Sequence, residues 1–290
     1  MIEAETKAEF KDYSPASEST WCPGCGNFGI LRSLDKALVS LNLEPREVLL
    51  VSGIGQSGKL PHYTKANVFN GLHGRPMPAA VAAKIANKDL NVIVISGDGD
   101  GYGEGGNHFM HAMNRNSNLT YLVHNNQVYG LTKGQASPTT DLGFTTKLNP
   151  DGAWHALRPL AVAVACDCSF IARGFAGDID HLAGLIELGV KHKGFSLIEI
   201  LQPCVSFNKK NTYQWYRERV YKLEDTKYDP SDTCSAFQKS LEWGDKIPIG
   251  VIYRHDREVF EDYVGVSQQP PLVKQPIDPL AIGTLLASFT

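Results

Sequence analysis

The chain has no uninterrupted apolar stretch of about 18 residues, the length a membrane-spanning helix needs. It has no surplus of basic residues either: 28 Lys and Arg stand against 31 Asp and Glu, a net charge of −3. Nucleic-acid binders ordinarily carry a basic excess or patch, so neither a nucleic-acid nor a membrane partner is expected. Internal repeats and low-complexity tracts are absent. The polar, acidic start lacks the basic end and apolar stretch of a secretory leader, which points to a cytoplasmic protein. Apolar residues make up 42% and charged residues 20%, excluding disorder, collagen and disulfide scaffolds. At 290 residues the chain can bury a large core without staples.

Glycine is plentiful, with 27 residues, and the excess is local. Apolar runs at Leu49–Ser52, Val92–Ser96, Thr120–Val123, Phe170–Ala172 and Ser196–Ile200 read as buried strands. Helical patterns cover Ile30–Leu41, Ala79–Ala86, Asn107–Met113, Leu157–Ala165 and Asp178–Lys191. Strands alternating with helices predict an α/β fold, a parallel sheet flanked by helices. In such sheets ligands sit beyond the carboxyl ends of the strands. The Gly-rich segments after Ser52 and Ser96 fall there. Residues 1–20 read as a polar lead-in and 21–205 as the principal domain. After Pro203 the pattern weakens, so 206–290 is expected to be an irregular extension, with a Pro-rich tail running over the surface.

The strongest local signal is Gly97-Asp-Gly-Asp-Gly101, directly after a strand, with Asn125 and Asn126 about 28 residues later, after the next strand. Adjacent strand ends would bring Asp98 and Asn126 together as hard oxygen ligands, and the Val128 carbonyl could add a third. Mg²⁺ takes few protein ligands and completes its shell from phosphates and water. Gly97 and Gly99 would let backbone N–H groups approach a diphosphate near a helix N-terminus. A lone Gly-Asp-Gly is more often a simple turn; its strand context and the Asn pair give it meaning.

These residues resemble the thiamine diphosphate motif. Longer blocks are more specific: Trp21-Cys-Pro-Gly-Cys-Gly-Asn-Phe-Gly-Ile30, Val51-Ser-Gly-Ile-Gly55, Leu72-His-Gly-Arg75, Gly130-Leu-Thr-Lys-Gly-Gln-Ala-Ser-Pro-Thr139 and Leu201-Gln-Pro-Cys204. Together, over roughly residues 21–254, they are similar to the β subunit of 2-oxoacid:ferredoxin oxidoreductases, most of all the two-subunit 2-oxoglutarate type. The resemblance implies a thiamine diphosphate-binding domain that holds Mg²⁺ and an iron–sulfur cluster. It implies conversion of a 2-oxoacid and coenzyme A to an acyl-coenzyme A and CO₂, two electrons passing to ferredoxin, or the reverse carboxylation. It assigns Asp98, Asn126 and the Val128 carbonyl to Mg²⁺, and Gly55, His73, Gly97, Gly99 and Asp100 to the cofactor's surroundings. His73 and Arg75 have a structural loop role as the alternative. Lys59 and Leu131 would lie near the 2-oxoacid and Lys133 near coenzyme A. A glutamate that activates the cofactor comes from the α subunit in this family. The chain is therefore expected to be inactive alone and to form a heterodimer that doubles, with its 206–290 extension packed partly on that partner. Pyruvate or a broad range of 2-oxoacids is the alternative substrate. A non-oxidative thiamine diphosphate lyase and a silent partner-binding subunit are the rival functions.

Six cysteines remain to be read. Cys22-Pro-Gly-Cys25 has iron–sulfur spacing, although zinc or a redox pair shares it. By the resemblance, Cys204 is a further cluster ligand. The family's remaining ligand stands in a Ser-Gly-Ile-Gly-Cys-Ser-Gly block, which reads Ser52-Gly-Ile-Gly-Gln56-Ser-Gly58 here. Four thiolates normally hold a four-iron cluster, and this chain offers three. A four-iron cluster with a non-thiolate ligand (4Fe-4S), a three-iron cluster (3Fe-4S) and outright loss are the open outcomes. An amide oxygen is a poor substitute for a thiolate. Cys166 and Cys168, in an apolar run, read as buried packing, and Cys234 as incidental.

Overall fold

The computed structural model describes residues 7–14, 17–276, 278–279 and 281–289. Part of the 1–20 lead-in therefore lies outside the described residues. The described part is anchored: Tyr13 is buried in the core and its hydroxyl donates to the Leu43 carbonyl at 2.6 Å.

The strands are β1 (Val48–Ser52), β2 (Asn67–Asn70), β3 (Asn91–Gly97), β4 (Leu119–Asn125), β5 (Val128–Tyr129), β6 (Gln135–Ala136), β7 (Phe170–Phe175), β8 (Phe195–Leu201), β9 (Val220–Lys222) and β10 (Ile247–Arg254). Eight of them form one sheet in the order β2-β1-β3-β4-β8-β7-β10-β9, while β5 and β6 make a separate two-stranded ribbon. From β2 through β7 every neighbouring pair is parallel. β10 joins β7 antiparallel and carries β9 parallel to itself.

Both faces of the sheet are covered, and the period of two shows it. Along β3, Val92 and Val94 enter one apolar layer, Ile93 and Ile95 the other. The first layer takes Met77 and Ala80 from the helix Pro76–Ala86, Phe109 and Met113 from Gly106–Arg115, and Leu160 and Val164 from Pro159–Ala165. The second takes Ile30, Leu34 and Leu38 from Gly26–Ser40, and Leu182, Leu185 and Ile186 from Ile179–Lys191. Each large apolar side chain among them contributes about 1.5–3 kcal/mol on burial.

The five strands and five helices read from the sequence are all present with ends shifted by a few residues. The helix expected from Ile30 begins at Gly26, directly after Cys25, and the one expected from Leu157 begins at Pro159, a residue suited to the first helical turn. The stretch after Pro203 is more regular than its composition implies, because β10 takes a place inside the sheet. Pro248 and Gly250 interrupt its apolar pattern, and a register shift between Val251 and Tyr253 breaks its alternation. β2 escapes the sequence for the opposite reason: all four of its residues are exposed. Beyond Arg254 come short helical turns and a helix, Ala281–Ala287, that buries nothing. No helix among the described residues is long and apolar enough to cross a membrane.

Candidate functional site

Because β2, β1, β3, β4 and β8 are adjacent and parallel, their carboxyl ends leave the sheet along one edge. The register aligns Ser52 with Asn70 and Ile95, Gly97 with His124, and Asn125 with Leu201. Gly53–Gln56, Gly71–Arg75, Asp98–Glu104, Asn126 and Gln202–Cys204 are thus delivered to one region, where ligands bind in open α/β sheets.

Asp98, the first residue after β3, is 1% exposed. Its Oδ2 accepts from Ser137 Oγ at 2.5 Å and Thr139 Oγ1 at 2.6 Å. Burial pushes its carboxyl up to about 6, and those hydroxyl bonds pull the other way. Asn126 Oδ1 accepts from the Val128 N–H at 3.0 Å, which ties the two proposed ligand residues into one tight turn. Asn208 Nδ2 donates to the Asn126 carbonyl at 3.2 Å. A buried carboxylate beside oxygen donors suits a hard cation.

Asp100 is placed differently. Its Oδ1 accepts from the Ile54 and Gly74 N–H groups at 3.0 and 2.8 Å, so it clamps the loops after β1 and β2. His73, Asp100 and Glu104 each bring one ligand atom within 4.8 Å of the others. Gly99 has a packing reason to be glycine, since a Cβ there would stand 2.3 Å from the Tyr129 ring. Gly55 takes a positive φ of 124° in the turn before Gln56.

Lys59 sits half-buried on the short helical turn Ser57–Tyr63. Leu131 and Lys133 lie on the turn of the β5–β6 ribbon, both exposed, with Lys133 at φ 77°. Gly130 at the base of that turn approaches the Gln56 side chain, 3.7 Å from a notional Cβ, so ribbon and β1 loop are neighbours.

The cysteines gather beside the oxygen ligands. Cys22, Cys25, Gln56, Asn126, Gln202 and Cys204 line one small pocket. Burial pushes the Cys25 thiol up to about 11; the Asn27 backbone and the Gln202 amide lower it, and nearby Cys204 and Cys22 raise it. Gln202 Nε2 donates to Cys25 Sγ at 3.5 Å and Ser206 Oγ to Cys22 Sγ at 3.1 Å. Trp21 Nε1 donates to the Gln56 backbone carbonyl at 2.8 Å. Gln56 Oε1 is buried with no hydrogen-bond partner. Gln202 Oε1 in the same pocket is likewise unpartnered, and three thiols with two orphaned amide oxygens fit a metal–sulfur group. Cys168 is buried and its thiol donates to the Phe170 carbonyl at 3.3 Å, while Cys234 is exposed on the helix Thr233–Leu241.

Several supporting residues were not singled out from the sequence. Ser137 and Thr139 lie about 40 residues from Asp98, in the Gly130–Thr139 block, where nothing marks their hydroxyls as partners of that carboxylate. Thr139 Oγ1 also reaches Asn125 Oδ1 at 2.9 Å, and Asn125 Nδ2 donates to Glu199 Oε1 at 3.1 Å. Glu199 in turn pairs with Arg173 at 2.9 Å, both buried. His124 Nδ1 meets Asn27 Oδ1 at 2.8 Å, joining β4 to the helix that starts at the cysteines. Burial pushes the His124 ring down to about 3, so it is neutral. No spacing rule signals pairs this far apart in sequence.

Residues 53–200 match the family described as thiamine pyrophosphate enzyme, C-terminal TPP binding domain. Residues 204–269 match the C-terminal family of the pyruvate ferredoxin oxidoreductase beta subunit. The chain is 48% identical over 249 residues to the 2-oxoacid:ferredoxin oxidoreductase subunit beta of Saccharolobus solfataricus, covering 81% of this chain and 82% of that one. It is 40% identical over 199 residues to the 2-oxoglutarate oxidoreductase subunit KorB of Mycobacterium tuberculosis, covering 68% of this chain and 53% of that one. In structure it is similar to a 2-oxoglutarate:ferredoxin oxidoreductase from Magnetococcus marinus with 2-oxoglutarate, coenzyme A and succinyl-CoA bound. The TM-score is 0.89 and the identity 32%, with 97% of each chain covered.

Proposed function

Since the chain belongs to the β subunits of the 2-oxoacid:ferredoxin oxidoreductases, we propose that its substrate is 2-oxoglutarate and that an iron–sulfur cluster carries the electrons out. The reaction is 2-oxoglutarate, coenzyme A and two oxidised ferredoxins to succinyl-coenzyme A, CO₂, two reduced ferredoxins and a proton, or its reverse. The observation that carries this reading is that Asn126, beside Asp98, lines the same pocket as Cys22, Cys25 and Cys204. Decarboxylation and electron exit are then neighbours.

Thiamine diphosphate, when bound, supplies stabilisation of negative charge at the former carbonyl carbon. Asp98, Asn126 and the Val128 carbonyl offer three oxygens to the Mg²⁺ that holds its diphosphate. Ser137 and Thr139 orient the Asp98 carboxylate, and Asp100 fixes the loops around it. Lys59, a compact positive charge, meets a carboxylate of the 2-oxoacid. Leu131 lies against the substrate, and Lys133 on the ribbon turn attracts the phosphates of coenzyme A. Cys22, Cys25 and Cys204 hold the cluster. An α partner completes the site, in a heterodimer that doubles.

Support for 2-oxoglutarate comes from the KorB relatives and the structural neighbour. A broader 2-oxoacid range is the second reading, favoured by the name of the relative at 48% identity. Acyl-coenzyme A formation and ferredoxin reduction by the α–β complex discriminate them. A kcat/KM for 2-oxoglutarate at least tenfold above that for pyruvate is expected; equal or reversed values contradict the proposal.

A further inference from the structure

The pocket of the three cysteines has a fourth corner, and Gln56 occupies it. Its side chain lines the same pocket as Cys22, Cys25 and Cys204. Its Oε1 is buried without a hydrogen-bond partner, a state that costs about 1–3 kcal/mol unless something fills it. Gln202 Oε1 in the same pocket is also unpartnered, but the Gln202 amide is already engaged with Cys25 Sγ through its Nε2, whereas no hydrogen bond holds the Gln56 side-chain oxygen. The residue is not free to swing out at its backbone: Trp21 Nε1 holds its carbonyl, and the Trp21 ring is wedged edge-on against Phe28 and Tyr63 at centroid distances of 5.4 and 4.8 Å.

No other cysteine among the described residues can serve that corner. Cys25 packs on the apolar layer built around Ile30 and Leu34. Cys168, with Cys166 against it, belongs to the layer on the opposite face of the sheet. Cys234 is on a helix whose Ala236 is buried in that same opposite layer. Cys166 and Cys168 precede Phe170 at the amino end of β7, whereas the pocket lies beyond the carboxyl ends of the parallel strands.

We infer that the pocket holds a cluster with one distinct iron, three irons carrying the thiolates of Cys22, Cys25 and Cys204 and the fourth capped by Gln56 Oε1. This inference rests on the proposed function, which supplies the cluster. A neutral, hard oxygen binds iron more weakly than a thiolate, so the capped iron leaves first. A four-iron cluster at charge 2+ contains two Fe³⁺ and two Fe²⁺. Removal of one electron by an oxidant and release of one Fe²⁺ leaves a three-iron cluster at charge 1+ with three Fe³⁺. The four sulfides and three thiolates stay in place. Added Fe²⁺ and one electron reverse it.

The test uses the α–β complex purified without oxygen and treated with ferricyanide beside an Fe²⁺ chelator. Wild type is expected to release one Fe²⁺ per cluster and to show the EPR signal of an oxidised three-iron cluster. Dithionite with ⁵⁷Fe²⁺ then restores four irons, with the label in a single Mössbauer site. Gln56→Cys is expected to slow the release at least tenfold, and Gln56→Leu to speed it at least tenfold or to be isolated with three irons. Four irons that resist ferricyanide in wild type as they do in Gln56→Cys would overturn the inference and leave the proposed function standing. Gln56→Leu behaving as wild type would remove Gln56 as the ligand. A wild-type complex without iron or sulfide would overturn the proposed function as well.

Discussion

Asp98 is almost wholly removed from water, and burial raises its carboxyl to about 6 in spite of two hydroxyl hydrogen bonds. A divalent cation relieves that cost, because it favours the ionised form. Asp98→Ala is therefore expected to weaken binding of thiamine diphosphate with Mg²⁺ by at least 100-fold in a calorimetric titration of the α–β complex. Affinity within threefold of wild type would contradict the metal assignment. Asp35, a half-buried acid, has no such compensation. Burial lifts its carboxyl to about 7, opposed only by a 3.0 Å hydrogen bond from Thr64. Its folded value is raised, so between about pH 4 and 7 the native chain holds a proton that the unfolded chain has released. Stability from this group is greatest below that window, declines across it and levels off above. Asp35→Asn should leave stability unchanged at pH 4 and raise it by about 1–2 kcal/mol at pH 8. A gain equal at both pH values would contradict the argument. The residues legible in the sequence were those whose chemistry is rare: acidic Asp98 among glycines, paired Asn, closely spaced Cys. Ser137, Thr139 and Glu199 were illegible because hydroxyls and single acids are common and their partners are distant in the chain.

At the scale of elements, β7 and β8 carry a charge pair through the core, with Arg173 directly opposite Glu199 in the register. Glu199 also accepts from Asn125 at the end of β4, and the Arg173 guanidinium lies 5.7 Å from the Trp243 ring centre. Removing one member of a buried pair typically costs about 3–5 kcal/mol, whereas apolar replacement of both is far milder. Arg173→Met should destabilise the chain by about that amount in denaturant titration, and adding Glu199→Leu should recover most of the loss. A cost below about 1 kcal/mol for the single change would show that the pair is dispensable. The inner strands were readable because continuous apolar runs mark strands buried on both faces. β10 hid behind Pro248 and Gly250, and exposed β2 had no apolar pattern to offer. Much of the site inherited this legibility, because its loops after β1, β3, β4 and β8 follow strands read from the sequence. The loop after β2 and the β5–β6 ribbon that Ser137 follows did not, since neither β2 nor the ribbon was read.

At the scale of the whole molecule, the loops that carry Asp98 and Asn126 and the pocket lined by Cys22, Cys25 and Cys204 lie together at the carboxyl ends of one parallel sheet. The central claim is that electrons leave through the thiol pocket rather than staying with the product. Its most direct test is a single turnover of the α–β complex, counting electrons in ferredoxin against acyl-coenzyme A formed from 2-oxoglutarate. Two reduced ferredoxins per succinyl-coenzyme A are expected, with neither product formed when the α partner is left out. Release of CO₂ and the corresponding aldehyde, with ferredoxin still oxidised, would contradict the account and assign the chain to non-oxidative chemistry.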